Sequence, residues 1–130
     1  MEQMEMTTMN LPVLALRGLT IFPGCILTFD VEREISIRAL ERAMESDQQV
    51  FLVAQREVGV ALPGERDLYQ VGTISVIRQI LRISETAVRV MTEGKSRARM
   101  RRLWQTEPYL QANVAPMGEL HARISDSQLE

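Results

Sequence analysis

Residues 11–31 read LPVLALRGLTIFPGCILTFDV, and no other stretch narrows the available folds as much. It holds two apolar runs, 11–16 and 26–31, rich in strand formers and too short to span a bilayer. Arg17-Gly18 and Pro23-Gly24 turn the chain between them and leave Leu19, Ile21 and Phe22 in a connection. Large apolar side chains in a loop need cover. Either they plug the end of a barrel, or they form a patch that meets a partner.

Beyond Glu32 the period changes. Ile37, Leu40, Ala43 and Met44 make one helical stripe, Glu34 and Arg38 stand in the i,i+4 order that favours an ion pair, and Ser46-Asp47 marks the stop. Residues 50–55 read as a short strand buried on both faces. Residues 56–70 read as a loop around Pro63-Gly64, of a length that in compact domains goes with function or mobility. A long strand starts at Val71 and reaches Ile83. Both of its alternating sets contain apolar residues, which implies twist or cover on both faces. Ser84-Glu85-Thr86 turns the chain into a strand at 88–90, which Gly94 ends. In the next strand Arg97, Arg99, Arg101 and Leu103 alternate with Ala98, Met100, Arg102 and Trp104, so that Ala98 and Met100 face inward behind an arginine row. Residues 109–115 are a last strand. Evenly spaced strands with one helix predict a mainly β fold, a small closed or nearly closed β-barrel over 11–116. Residues 1–10 are expected to be a flexible leader, and 117–130 the start of a helical linker.

At 130 residues the chain supports one domain. Its single cysteine cannot form an internal disulfide, and residues 1–10 have neither a basic nor an apolar targeting region, so a cytoplasmic protein with no membrane partner is expected. Charge is unevenly spread: residues 78–104 carry eight basic and two acidic side chains, whereas residues 1–77 carry six and eleven. Catalytic signals are weak. Gly94-Lys95-Ser96 mimics the end of a phosphate-binding loop, but the glycine required five positions earlier is Arg89, and no helix follows. The only histidine, His121, lies in the tail, and Cys25 is expected to be a small buried hydrophobe. Neither catalytic nor metal-binding residues nor a cofactor site are expected.

Two binding signals remain. Arg97, Arg99 and Arg101 with Trp104 could hold single-stranded nucleic acid by phosphate contact and stacking, though the acidic balance elsewhere makes nucleic acid the lesser reading. Ile21-Phe22-Pro23-Gly24 and Ala61-Leu62-Pro63-Gly64 share a form, two apolar residues and then a turn. Leu19, Ile21, Phe22, Pro23, Leu62 and Pro63 are therefore the candidate contacts for extended apolar peptide segments. A patch of a few hundred Å² at ~25 cal/mol/Å² gives several kcal/mol gross, and weak net affinity once binding costs are subtracted.

In combination, LPVLALRGLTIFPG, the helix entry DVERE with RALERAM, QVFLVAQ, LYQVGTISVIRQILRI and VRVMTEGKSRARM resemble the N-terminal substrate-recognition domain of the Lon ATP-dependent protease family. The chain departs from that pattern in three places. Ser84-Glu85-Thr86 stands where a Pro-Asp-Gly hairpin is usual, Met91-Thr92 where Leu-Val precedes Glu93-Gly94, and Ala15 where proline is common. The resemblance implies a PUA-like β-barrel with one principal helix, and a non-catalytic role. The parent would be a homohexameric protease whose AAA+ ring uses ATP and Mg and whose serine–lysine dyad lies outside this chain. The implied partners are unfolded or damaged proteins, bound through the apolar loops and delivered to the ATPase ring, together with the remaining domains and subunits. The alternatives are a PUA-like nucleic-acid-binding module using residues 97–102, or a structural gate or assembly module of the hexamer.

Overall fold

Strands dominate the fold. The computed structural model describes residues 8–117. Among these, six strands and one α-helix follow in the order β1 (Met9–Leu16), β2 (Ile26–Val31), α1 (Glu34–Met44), β3 (Gln49–Ala54), β4 (Val71–Arg82), β5 (Val88–Gln105) and β6 (Gln111–Pro116). The fold is mainly β, as the sequence pattern predicts. The expected helical linker falls outside the described residues apart from Met117, and so does most of the expected leader. Met9 and Asn10, however, belong to β1, where they pair with Val114 and Asn113. Their partners lie about a hundred positions away, so no local signal marks them.

The strand order is β2-β5-β4-β3-β1-β6, and β6 also pairs with β5, which closes β5-β4-β3-β1-β6 into a ring. β1 and β3 run parallel and every other pair is antiparallel. The long β5 makes this closure possible: residues 88–93 pair with β2 and 98–105 with β6, while β4 pairs with residues 88–99. Gly94 therefore does not end a strand. It sits at a bulge opposite Ser75, where β5 continues without a break. A second bulge at Arg78 moves β4 from one facing pattern to the other, which accounts for apolar residues in both of its alternating sets. A third at Arg101 leaves Arg101 and Arg102 both exposed and turns Leu103 inward, so Leu103 is core and not a member of the arginine face.

Two buried clusters result. The barrel interior is filled by Leu11, Val13, Phe51, Met100, Leu110 and Val114 with their neighbours. The second cluster lies outside the ring, where Leu14, Leu16, Val50 and Leu52 meet the β2 residues Phe29 and Val31 and the helix residue Leu40. α1 approaches β1 and β3 through Ala39, Leu40 and Ala43; the two small alanines permit close contact and Leu40 fills the space between. The helical stripe is thereby rotated: Ala39 is buried, whereas Met44, at the last helical position, is exposed.

Candidate functional site

Residues 17–25 connect β1 to β2, and their backbone is pinned at several points. Ile21, only 4% exposed, inserts into the cluster beside α1. Its carbonyl accepts a hydrogen bond from Thr73 Oγ1 at 2.8 Å. Gly24 N donates to Gly94 O at 2.8 Å, Gly94 N to Cys25 O at 2.9 Å, and Cys25 N to Phe22 O at 3.1 Å. Gly24 has φ +86°, a conformation that glycine adopts without strain. A Cβ on Gly94 would lie 2.5 Å from the Phe22 carbonyl oxygen, so glycine at the bulge is what lets the loop lie against β5. Held this way, the loop turns Leu19, Phe22 and Pro23 outward, with Phe22 52% exposed. The Arg97 guanidinium lies 5.3 Å from the centre of the Phe22 ring. Cys25 is exposed rather than buried, because it precedes the first β2 residue at the mouth of the loop.

The second loop, 55–70, doubles back through a bridge between Gln55 and Leu68 and a 3-10 turn at Glu65–Asp67. Leu62 is 75% exposed, whereas Pro63 beside it is buried. Ile21 and Pro63 are thus anchors rather than part of the exposed surface expected of them. A loop can present apolar side chains in a fixed position only if others hold it down. Arg33, at the start of α1, fastens this loop to the barrel. It donates to Gln55 Oε1 at 2.7 Å, to Ala15 O at 2.6 Å and to Ala61 O at 3.3 Å. Partial burial, with the nearby Arg17 charge adding to it, lowers its pKa from the usual guanidinium value. Arg17 reaches Val60 O at 3.5 Å.

Around these loops lie three hollows. One of about 820 Å³ is lined by Leu62, Pro63, Ile35, Pro108 and Leu110 among others. A smaller one, about 210 Å³, holds Leu19 and shares Arg17 and Arg33 with the first. The third, about 560 Å³, lies on the other side of the 17–25 loop, where Thr20 and Ile21 meet Arg56, Tyr69, Arg97 and Arg99. Arg56 sits 4.7 Å above the Tyr69 ring centre. Arg99 Nη1 lies 3.4 Å from Gln70 Oε1.

The arginine row is therefore divided. Arg97 faces the third hollow, Arg99 lines both it and a neighbouring one, Arg101 lines only the neighbour with Pro116, and Trp104 donates through Nε1 to Asn10 Oδ1 at 3.1 Å and lines neither. Arg56 and Tyr69 were invisible as members of this site, since only the doubling-back of 55–70 brings them to β5. Lys95, in the fragment that mimics a phosphate loop, lies inside β5 and pairs with Glu93 at 3.3 Å. Among the described residues no three His, Cys, Asp or Glu side chains converge as metal ligands, and no helix is long and apolar enough to cross a membrane.

Comparison with known proteins assigns the fold to a family. A family model of the ATP-dependent protease La (LON) substrate-binding domain matches residues 10–130. The Lon protease of Clostridioides difficile (strain 630) is 46% identical over 105 residues, 81% of this chain and 13% of that protein. The Lon protease of Clostridium acetobutylicum is 46% identical over 104 residues, 80% of this chain and again 13% of the relative. The chain thus spans about an eighth of the length of these relatives. In solved structures the same fold occurs in the N-terminal domain of Mycobacterium avium complex Lon protease, with a TM-score of 0.68 at 20% identity over 85% of this chain and 56% of that one. It occurs also in a Lon N-terminal domain protein from Xanthomonas campestris, with a TM-score of 0.65 at 14% identity over 85% of this chain and 60% of that one. With strands, bulges and pinned loops arranged as described, the chain belongs to the family of Lon substrate-binding domains.

Proposed function

We propose that this chain is the client-capturing domain of a cytoplasmic ATP-dependent protease, holding unfolded or damaged polypeptides by exposed apolar loops for delivery to an ATPase ring. It makes and breaks no covalent bond; hydrolysis of ATP and peptide would belong to other parts of a hexameric assembly. The observation that carries this reading is the contrast within each loop. Ile21 and Pro63 are buried, while their neighbours Phe22 and Leu62 are held out to solvent. Keeping a large apolar side chain half exposed on a pinned backbone opposes the usual gain from burial, and a surface for apolar partners explains it. Pinning also lowers the ordering cost that a mobile loop would meet on binding.

The test replaces Phe22 and Leu62 with serine together and measures capture of a chemically denatured protein. Each side chain contributes on the order of 1–2 kcal/mol of apolar contact, so capture is expected to weaken at least tenfold. The melting temperature is expected to hold, because neither side chain is buried. Ile21→Ser supplies the contrast: it lowers the melting temperature by several degrees through loss of a buried anchor. Unchanged capture by the double variant would overturn the reading.

A further inference from the structure

We propose that the hollow framed by Arg56, Arg97 and Arg99 receives carboxylate side chains, so that the favoured clients are extended segments in which an apolar residue is flanked by acidic ones. The proposal rests on the capture reading above and specifies what the captured segment contains. No Asp or Glu lines this hollow. Elsewhere on the surface arginines meet carboxylates: Arg38 with Glu34 at 2.8 Å, Arg78 with Glu93 at 2.6 Å, and Arg89 with Asp30 at 2.8 Å. Arg56, Arg97 and Arg99 have no carboxylate partner among the described residues, and each is held by a neutral group instead. Arg56 lies on Tyr69, Arg97 on Phe22, and Arg99 beside the Gln70 amide. A guanidinium stacked on a ring keeps its N–H edge free, and that edge is the fork that matches a carboxylate.

The same contacts argue against nucleic acid as the occupant. Base stacking needs an open aromatic face, and guanidinium groups lie over both Tyr69 and Phe22. Trp104 lies outside the hollow, hydrogen-bonded to Asn10. A net charge of −2 also repels a polyanion at long range, whereas a short acidic segment senses mainly the local cations. Because Arg97 touches the Phe22 ring, the apolar contact and the cationic hollow form one continuous surface. A chain gripped at Phe22 places its neighbouring residues against the arginines.

Fluorescence anisotropy with the 130-residue chain tests this, using three labelled peptides that share an apolar centre and carry Glu, Gln or Lys flanks. The Glu peptide is expected to bind about tenfold tighter than the Gln peptide, with the Lys peptide weakest, and the preference shrinks between about 0.05 and about 0.5 M salt. An Arg56→Gln/Arg99→Gln double variant, checked for unchanged circular dichroism, is expected to bring the Glu and Gln peptides within about twofold while leaving the Gln peptide's own affinity intact. Phe22→Ser weakens both peptides alike. Equal binding of Glu and Gln peptides by the unaltered chain overturns this proposal and leaves apolar capture standing. A Glu preference that is indifferent to Phe22→Ser supports the hollow and removes the apolar loop. Binding of none of the peptides overturns both. Displacement of the Glu peptide by a single-stranded oligonucleotide at lower concentration than by unlabelled Glu peptide also overturns the proposal, in favour of nucleic acid.

Discussion

Arg33 occupies a position that its place in the sequence conceals. It stands in a run of charges at a helix entry, where a solvated side chain would be the ordinary outcome. Instead its guanidinium reaches the backbone of β1 and the 55–61 segment together, satisfying Ala15 O, Ala61 O and the Gln55 amide oxygen. Gln55 then passes the connection on, its Nε2 donating to Glu57 O at 2.9 Å and Val60 O at 3.0 Å. Removing the guanidinium leaves the partly buried Ala15 O and Gln55 Oε1 without this donor, which costs on the order of 2–3 kcal/mol. Arg33→Met is therefore expected to lower the urea midpoint clearly and to increase protease cleavage within 56–64. Lysine is not a substitute, since one ammonium cannot span acceptors placed for a planar fork. Gly94 makes a similar point through absence. Alanine there would set its Cβ against the Phe22 carbonyl and Thr73 Cγ2, so Gly94→Ala is expected to displace the 17–25 loop and weaken capture of denatured protein even where the barrel persists. A heteronuclear spectrum with shifts confined to residues 20–26, 73 and 92–96 would check it.

At the level of elements, agreement with the sequence depends on whether the signal is local. β2 and α1 were legible because each carries its own period within a few residues. The long β4 was legible in extent, but its bulge at Arg78 was visible only as apolar residues on both faces. β5 reads as two strands in the sequence, because glycine usually weakens a strand interior, and is one in the structure. The demand for glycine came from the Phe22 backbone, about seventy positions earlier. The same distance effect hid the arginine hollow: Arg97 and Arg99 announced themselves, while Arg56 and Tyr69 sat in a loop of no clear pattern. The two loop motifs stand out in the sequence, but packing alone decides that Ile21 turns inward and Phe22 outward, and that Pro63 is buried beside an exposed Leu62. The β2-β5-β4 sheet carries its own prediction. Arg89 hydrogen-bonds Asp30 across β2 and β5, and Arg78 with Lys95 does the same for Glu93, so both carboxyls titrate below their ordinary values. Unfolded, they titrate near the ordinary values of 3.8 and 4.5. Between each lowered folded value and its unfolded value the folded state binds fewer protons, and stability rises with pH across that range. This contribution is present above about pH 5 and is lost as the pH falls through the folded values. Asp30→Asn is expected to flatten the acid limb of a plot of urea midpoint against pH while changing little in its shape near neutrality.

Across the whole molecule, the two buried clusters are not independent, because the same strands build both. Alternate residues of β1 enter opposite sides: Val13 and Ala15 fill the barrel, Leu14 and Leu16 the space beneath α1. β3 repeats the division with Phe51 and Val53 against Val50 and Leu52. These parallel strands, buried on both faces, form a wall common to the two cores. Opening either core strips apolar cover from one face of that wall, so a perturbation on either side is expected to act on the entire fold. Leu14→Ala, a cut into the outer cluster, is expected to cost about 3 kcal/mol, and Val13→Ala, on the barrel side, about 2 kcal/mol. The size of these losses is less informative than their form. Trp104, the only tryptophan, rests against Asn10 on the β1–β6 side, far in sequence from α1, while far-UV circular dichroism reads helix and strands together. If the wall couples the cores, tryptophan fluorescence and circular dichroism will follow one coincident urea transition in the parent and in both variants. A Leu14→Ala chain whose helix signal melts before Trp104 responds would mean that α1 and its cluster can detach from an intact barrel. The pinned 17–25 loop, anchored through Ile21 in that cluster, would then be held by the less stable part of the molecule.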